Sequence, residues 1–321
     1  ANAALAHAML LAGDSVGSIP YWIRACEAAP PSHRARLVTG ALKSMEQTLQ
    51  SNEHDVLPSV QSGALQELAK LAGQDPRIPI AIARLDLLEQ AENPALGVAR
   101  AFRRLDNFLR AAGDVGLADL HAGTEQAWLD FYLQYGPEQA LEFVREQLKL
   151  SPGVQSLWLG EVRALSALGR YEEALEAAED LTRMSPTGAL YEEVAHCLQA
   201  SGASTRDVED QLRKAQRLSD GLSLNAKLTR AKSLLSVKGE RTASQAIMVL
   251  AKAWPDKKSG ALDDTTSEVG LLISEGLMKR ARDRDYQQAL QLLTAVRERG
   301  ATPYDRSLAN ALRGLCTQLN S

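Results

Sequence analysis

The chain has 321 residues, of which 45% are hydrophobic and 24% charged, a balance that argues against wholesale disorder and suits two ordinary domains or one long repeat array. Thirty-six Lys and Arg against forty Asp and Glu leave a net charge of -4, which is no footprint for wrapping a nucleic-acid backbone. No apolar run reaches the roughly 20 residues of a membrane-spanning helix, and three scattered cysteines, Cys26, Cys197 and Cys316, make neither a disulfide framework nor a zinc site.

The chain starts at Ala1 rather than Met and shows no signal peptide, which raises the expectation of a processed form or a piece of a longer polypeptide. From Leu11 to Pro30 the pattern is that of the second half of an irregular helix pair, with Trp22 and Ala25 facing inward and Pro30 as the stop. Helical periodicity then predicts elements over Ser32–Ser51, Pro58–Gly73, Ile78–Ala91, Pro94–Ala112 and Leu117–Tyr135. Pro94 suits the first position of a helix, and Val98, Phe102, Leu105 and Leu109 recur at three- and four-residue spacing behind it. Only Ile78–Ile82 could pass for a strand, and its helical pattern runs straight on to Leu88.

From residue 120 the chain becomes regular. The segment Ser156–Pro186 carries Trp158, then Gly169, Tyr171 and Ala174, then Pro186. Pro152 and Asp220 flank Pro186 at an identical spacing of 34 residues, and Ala140, Ala174 and Val208 repeat the same step. Gly169 can take the positive φ that ends a helix, Ala174 lets two helices approach closely, and Pro186 stops the second. Two further helix pairs, marked by Ala246 and Ala289, are spaced more widely, with insertions expected around Lys238–Arg241 and Asp256–Asp264. In the final segment Leu308, Leu312, Leu315 and Leu319 mark one face of a helix with no successor, which predicts a terminal cap.

This pattern resembles the tetratricopeptide repeat, a helix–turn–helix unit of 34 residues, most strongly over residues 124–220. The resemblance implies an all-α, right-handed superhelical solenoid of such repeats. Its expected divisions are irregular helical repeats over 1–116, regular repeats over 117–304 and a capping helix over 305–321, in one continuous array. The resemblance also implies a concave face lined by the second, fifth, ninth, twelfth and thirteenth places of each first helix. Those places predict a protein-binding groove that includes Glu125, Leu129, Tyr132, Leu159, Arg163 and Glu193. Chaperone-binding members of the family carry Lys at the fifth place and Asn at the ninth. Here those pairs read Glu125/Leu129, Leu159/Arg163 and Glu193/Cys197, so a clamp for a C-terminal carboxylate is not implied.

No residue pattern points to catalysis. The histidines His7, His33, His54, His121 and His196 form no ligand pair, and neighbours such as His196 and Cys197 point about 100° apart on a helix. No nucleophile elbow, phosphate loop or dinucleotide fingerprint occurs. Trp128, Trp158, Tyr171 and Tyr286 are expected as core wedges, and Trp254 as either core or contact. The basic clusters at Arg100–Arg104 and Lys279–Arg284 are expected to be solvated helix faces. The expectation is therefore a non-catalytic scaffold that needs no cofactor and no metal, takes a protein or peptide partner rather than nucleic acid, and works in a bacterial assembly or secretion system. Its compartment is expected to be the cytoplasm or the periplasm. The alternatives are the helical-repeat portion of an exopolysaccharide export protein, transferase or signalling regulator, and an RNA-binding helical array, which the acidic balance disfavours.

Overall fold

The computed structural model describes residues 2–12, 14–50, 58–90, 93–121, 123–254, 262–282, 284–300 and 302–319. Among them the regular elements are all helical. The chain divides into two compact units, Ala1–Ala164 and Leu165–Ser321, and the division falls inside one helix.

The first unit contains α1 (Asn2–Leu11), α2 (Ser15–Ala28), α3 (Pro31–Gln50), α4 (Pro58–Leu71), α5 (Arg77–Glu89), α6 (Pro94–Ala112), α7 (Leu117–Leu120), α8 (Thr124–Tyr135), α9 (Pro137–Leu150) and most of α10 (Gln155–Ala167). Asp14 caps α2 by accepting a hydrogen bond from the Gly17 amide at 2.8 Å. Trp22 and Ala25 face inward from that helix, as the sequence predicts, and so does Cys26. The Trp22 indole donates to the Ser44 hydroxyl at 3.0 Å, so its one polar atom is satisfied inside the core. The run Ile78–Ile82 is helical, and Ile78, Ile80 and Ile82 are buried.

One predicted helix is broken in two. The stretch Leu117–Tyr135 is not continuous, because Gly123 adopts φ 84° and separates the single turn of α7 from α8. That turn is bolted to α9. The Leu117 amide donates to the Gln147 side-chain oxygen at 2.9 Å, and the Ser151 hydroxyl donates to Asp119 at 3.1 Å. Gln147 stands where the 34-residue spacing places apolar Leu181 and Ala215 in the next two units, and this hydrogen bond explains its burial.

The second unit contains α11 (Tyr171–Met184), α12 (Gly188–Ala200), α13 (Thr205–Leu218), α14 (Leu224–Ser236), α15 (Glu240–Leu250), α16 (Asp264–Arg280), α17 (Asp285–Arg299) and α18 (Pro303–Leu319). Each packs on its successor, and α12, α14, α16 and α18 also pack each against the next but one, the arrangement of stacked helix pairs. The second helix of each pair shows why the spacing is legible. Ala174, Ala178 and Leu181 on α11, Val208, Leu212 and Ala215 on α13, and Ala289, Leu293 and Val296 on α17 form i, i+4, i+7 stripes that are all buried. Gly169 takes φ 72° between α10 and α11, as its place in the pattern requires.

One expectation for this unit changes in part. The capping face of α18 is Leu308, Ala309, Leu312 and Cys316, packed on the unit's core, while Leu315 is exposed. In the Lys279–Arg284 cluster Lys279, Arg282 and Arg284 are exposed, as expected, and Arg280 is half-buried. Arg280 grips Asp285, the Lys279 ammonium donates to the Leu235 carbonyl at 2.6 Å, and Arg282 pairs with Glu240. Of the two expected insertions, Val237–Gly239 links α14 to α15, whereas residues 256–261 of the second lie outside the described residues, as does Asp283. Trp254 is half-buried against the core of this unit.

Candidate protein-binding face

The candidate face is set by the first helices of the regular pairs, α8, α10 and α12. On α8 the structure buries all three predicted residues. Leu129 is 1% exposed, Tyr132 2% and Glu125 7%. Leu129 fills the space above Gly160 of α10, where an added Cβ would lie 2.5 Å from its methyl group. Tyr132 sits in an aromatic cluster, with ring centroids 5.3 Å from Phe102, 5.1 Å from Phe143 and 6.4 Å from Trp128. Its phenol is pushed well above the usual range, first by burial and then by the charge of Asp106, to which it hydrogen-bonds. Tyr132 and Leu129 are therefore core residues, and in this structure neither is an accessible anchor. The cause is α6. Phe102 and Phe108 fold over the side of α8 that the repeat pattern leaves open.

Glu125 is a different case. One of its carboxylate oxygens accepts from the Ser156 hydroxyl at 3.3 Å, and the other has no partner among the described residues. The carboxylate links α8 to the start of α10.

On α10 the predicted places are less buried than those on α8. Ser156, Leu159 and Arg163, spaced three and four apart on one side of the helix, are half-buried. On the opposite side Leu157 and Val162 are buried. The neighbouring Glu161 accepts from Arg145 of α9 at 2.8 Å, which fixes α10 against its predecessor. Trp158, expected in the core, is half-buried instead, and its indole donates to the Pro152 carbonyl at 2.9 Å. Trp128 takes the fully buried role, its indole donating to the Pro76 carbonyl at 3.0 Å. In the 34-residue register the two tryptophans stand four positions apart, and Trp128 aligns with buried Val162 of α10.

In the second unit Glu193 lies half-buried on α12, with buried Leu190 and Cys197 beside it. Burial pushes the Cys197 thiol up to about 11, partly offset by a hydrogen bond with Ser166 and reinforced by the Glu193 charge. Cys26 and Cys316 are also buried, and burial raises both thiols. Thiols held protonated in this way are poor nucleophiles. Among the described residues no three His, Cys, Asp or Glu side chains gather in a metal-binding group, and no helix is long and apolar enough to cross a membrane.

No protein-family profile and no curated protein matches the chain. Solved structures do. The crystal structure of the yeast Tom70 is similar over 96% of this chain with a TM-score of 0.61 and 12% identity, and the chain spans 60% of the length of that protein. The TPR domain of P58(IPK) is similar over 100% of this chain and 98% of its own, with a TM-score of 0.30 and 12% identity. The chain has a tetratricopeptide-like helical-repeat fold.

Proposed function

We propose that the chain is a non-catalytic scaffold that binds a segment of another protein along partly exposed faces of its first helices. The observation that carries this reading is α10. Its Ser156, Leu159 and Arg163 side chains keep partial solvent exposure, whereas Leu129 and Tyr132 on α8 are buried. A helical array spends its apolar residues between neighbouring helices and leaves an uncapped row of side chains outside, which suits extended partners. Leu159 supplies apolar contact, and the Arg163 guanidinium gives direction to a carboxylate or carbonyl of the bound segment. Glu125, Leu129 and Tyr132 act behind this face, as the packing that fixes α8 under α10. Glu193 offers a separate polar contact on α12.

The three protonated, buried thiols support the non-catalytic reading. The setting we assign is a bacterial assembly or secretion system, in keeping with short units rich in Ala and Leu. The repeats are proposed to continue as one array from 117 to 304. A photo-crosslinking residue placed at Leu159 and, separately, at Glu176 of α11 tests the face. A cross-linked protein product from Leu159 and none from Glu176 is expected. A product from Glu176 with none from Leu159 would move the contact to the second helices.

A further inference from the structure

The strongest charged feature outside the candidate face lies on α6. Arg100, Arg103, Arg104 and Asn107, with Asp86 of α5, line an open pocket of about 490 Å³. Asp86 is 8% exposed and accepts from Arg104 at 3.0 Å and 3.5 Å. This pair fixes one guanidinium at the pocket wall and uses up the only carboxylate lining it. Arg100 and Arg103 are exposed and have no ion-pair partner among the described residues. α6 carries four arginines and a single acid, Asp106, which is engaged with the Tyr132 phenol. The patch is thus locally basic in a chain whose net charge is -4.

We propose that this pocket docks an acidic segment of a partner protein, one with carboxylates at alternate positions of an extended stretch. The spacing supports that class. Arg100 and Arg103, the two arginines not held by Asp86, are three residues apart on the helix, about 4.5 Å along its axis, and their long side chains can spread to a wider carboxylate spacing. Carboxylates two residues apart in an extended peptide lie roughly 6.7 Å apart. Guanidinium groups bind carboxylates through paired, parallel hydrogen bonds, which a point charge cannot do. The Asn107 amide can donate to a backbone carbonyl of the same segment. This site is separate from the α10 face, so either can fail without the other.

The test uses the full chain and a fluorescent peptide of alternating Glu and Ser, with a peptide of alternating Gln and Ser as its neutral counterpart. Anisotropy titrations should show saturable binding of the Glu peptide that weakens with salt, and no binding of the Gln peptide. The double variant Arg100→Glu/Arg103→Glu should weaken binding by about tenfold or more with an unchanged circular dichroism spectrum. Arg100→Lys/Arg103→Lys, which keeps the charge and loses the forks, should lose several-fold. A charge reversal elsewhere, Arg213→Glu on α13, should leave binding as it is. Equal binding by the double Glu variant, equal binding of the Gln peptide, or an oligothymidylate of matched charge bound more tightly through the same arginines would each overturn the proposal.

Discussion

The Arg280 guanidinium grips the Asp285 carboxylate with both prongs, at 2.8 Å and 2.6 Å, across the turn that joins α16 to α17. The same carboxylate accepts from the Arg282 amide at 2.9 Å, and Asp285 is 3% exposed. Its partner holds the Asp285 carboxyl below its ordinary range, against the opposing effect of burial. This closure stands where the sequence pattern shows only alternating charge.

Removing one member of such a pair strands the other. Asp285→Asn is expected to cost about 3 kcal/mol, measured by urea denaturation at neutral pH. The sign of the pH dependence follows from the lowered pKa. The contribution is fully present above the unfolded carboxylate value near ~3.9 and is lost as the pH falls through the folded value. The parent should therefore lose more stability than the Asn variant on acidification below about pH 4. Parallel losses would contradict the role of this pair.

Ala281 ends α16 in the left-handed region at φ 52°, ψ 40°, and it is exposed. A Cβ in that region is strained. Ala281→Gly relieves the strain at a cost in unfolded-state entropy, so a net gain of about 0.5 kcal/mol is expected in the same denaturation experiment. A loss of stability would show that the turn does not hold this conformation.

The two tryptophans give opposite forecasts. Trp128→Ala opens a cavity in the aromatic cluster and should cost about 3–5 kcal/mol. Trp158→Ala removes a half-buried ring and should cost about 1–2 kcal/mol. Thermal melts of the two variants compare them directly, and an equal or reversed order contradicts the placement of α8 and α10.

Ala174 is fully buried on α11. Ala174→Leu should overpack that site by about 1–3 kcal/mol. A variant that melts with the parent would mean that the site has room the packing does not show.

The regular part of the fold is legible because its signal is local and repeated. Ala140, Ala174 and Val208 share one role at one spacing, and each is buried. What escaped detection is tertiary. Phe102 covers Tyr132 from thirty residues away, and no periodicity in α8 announces it. The predicted face on α8 therefore became core, while that on α10 kept partial exposure. Arg104 illustrates the same limit. Its cluster is a solvated face in the sequence and in the structure, but its pairing with Asp86 of another helix has no sequence signal. The break at Gly123 was masked by apolar residues on both sides that fit a single helical pattern.

The central claim is that the partly exposed side of α10 holds a protein partner. The direct measurement is quantitative affinity capture from the native source with the parent chain, Arg163→Glu and Leu159→Ala. Circular dichroism and melting serve as controls, because a partly exposed charge contributes only about 1 kcal/mol to folding. The account predicts one or more proteins retained by the parent and lost, by about tenfold, from both variants while the helical signal is unchanged. Retention of the same proteins at parental levels by both variants would contradict it.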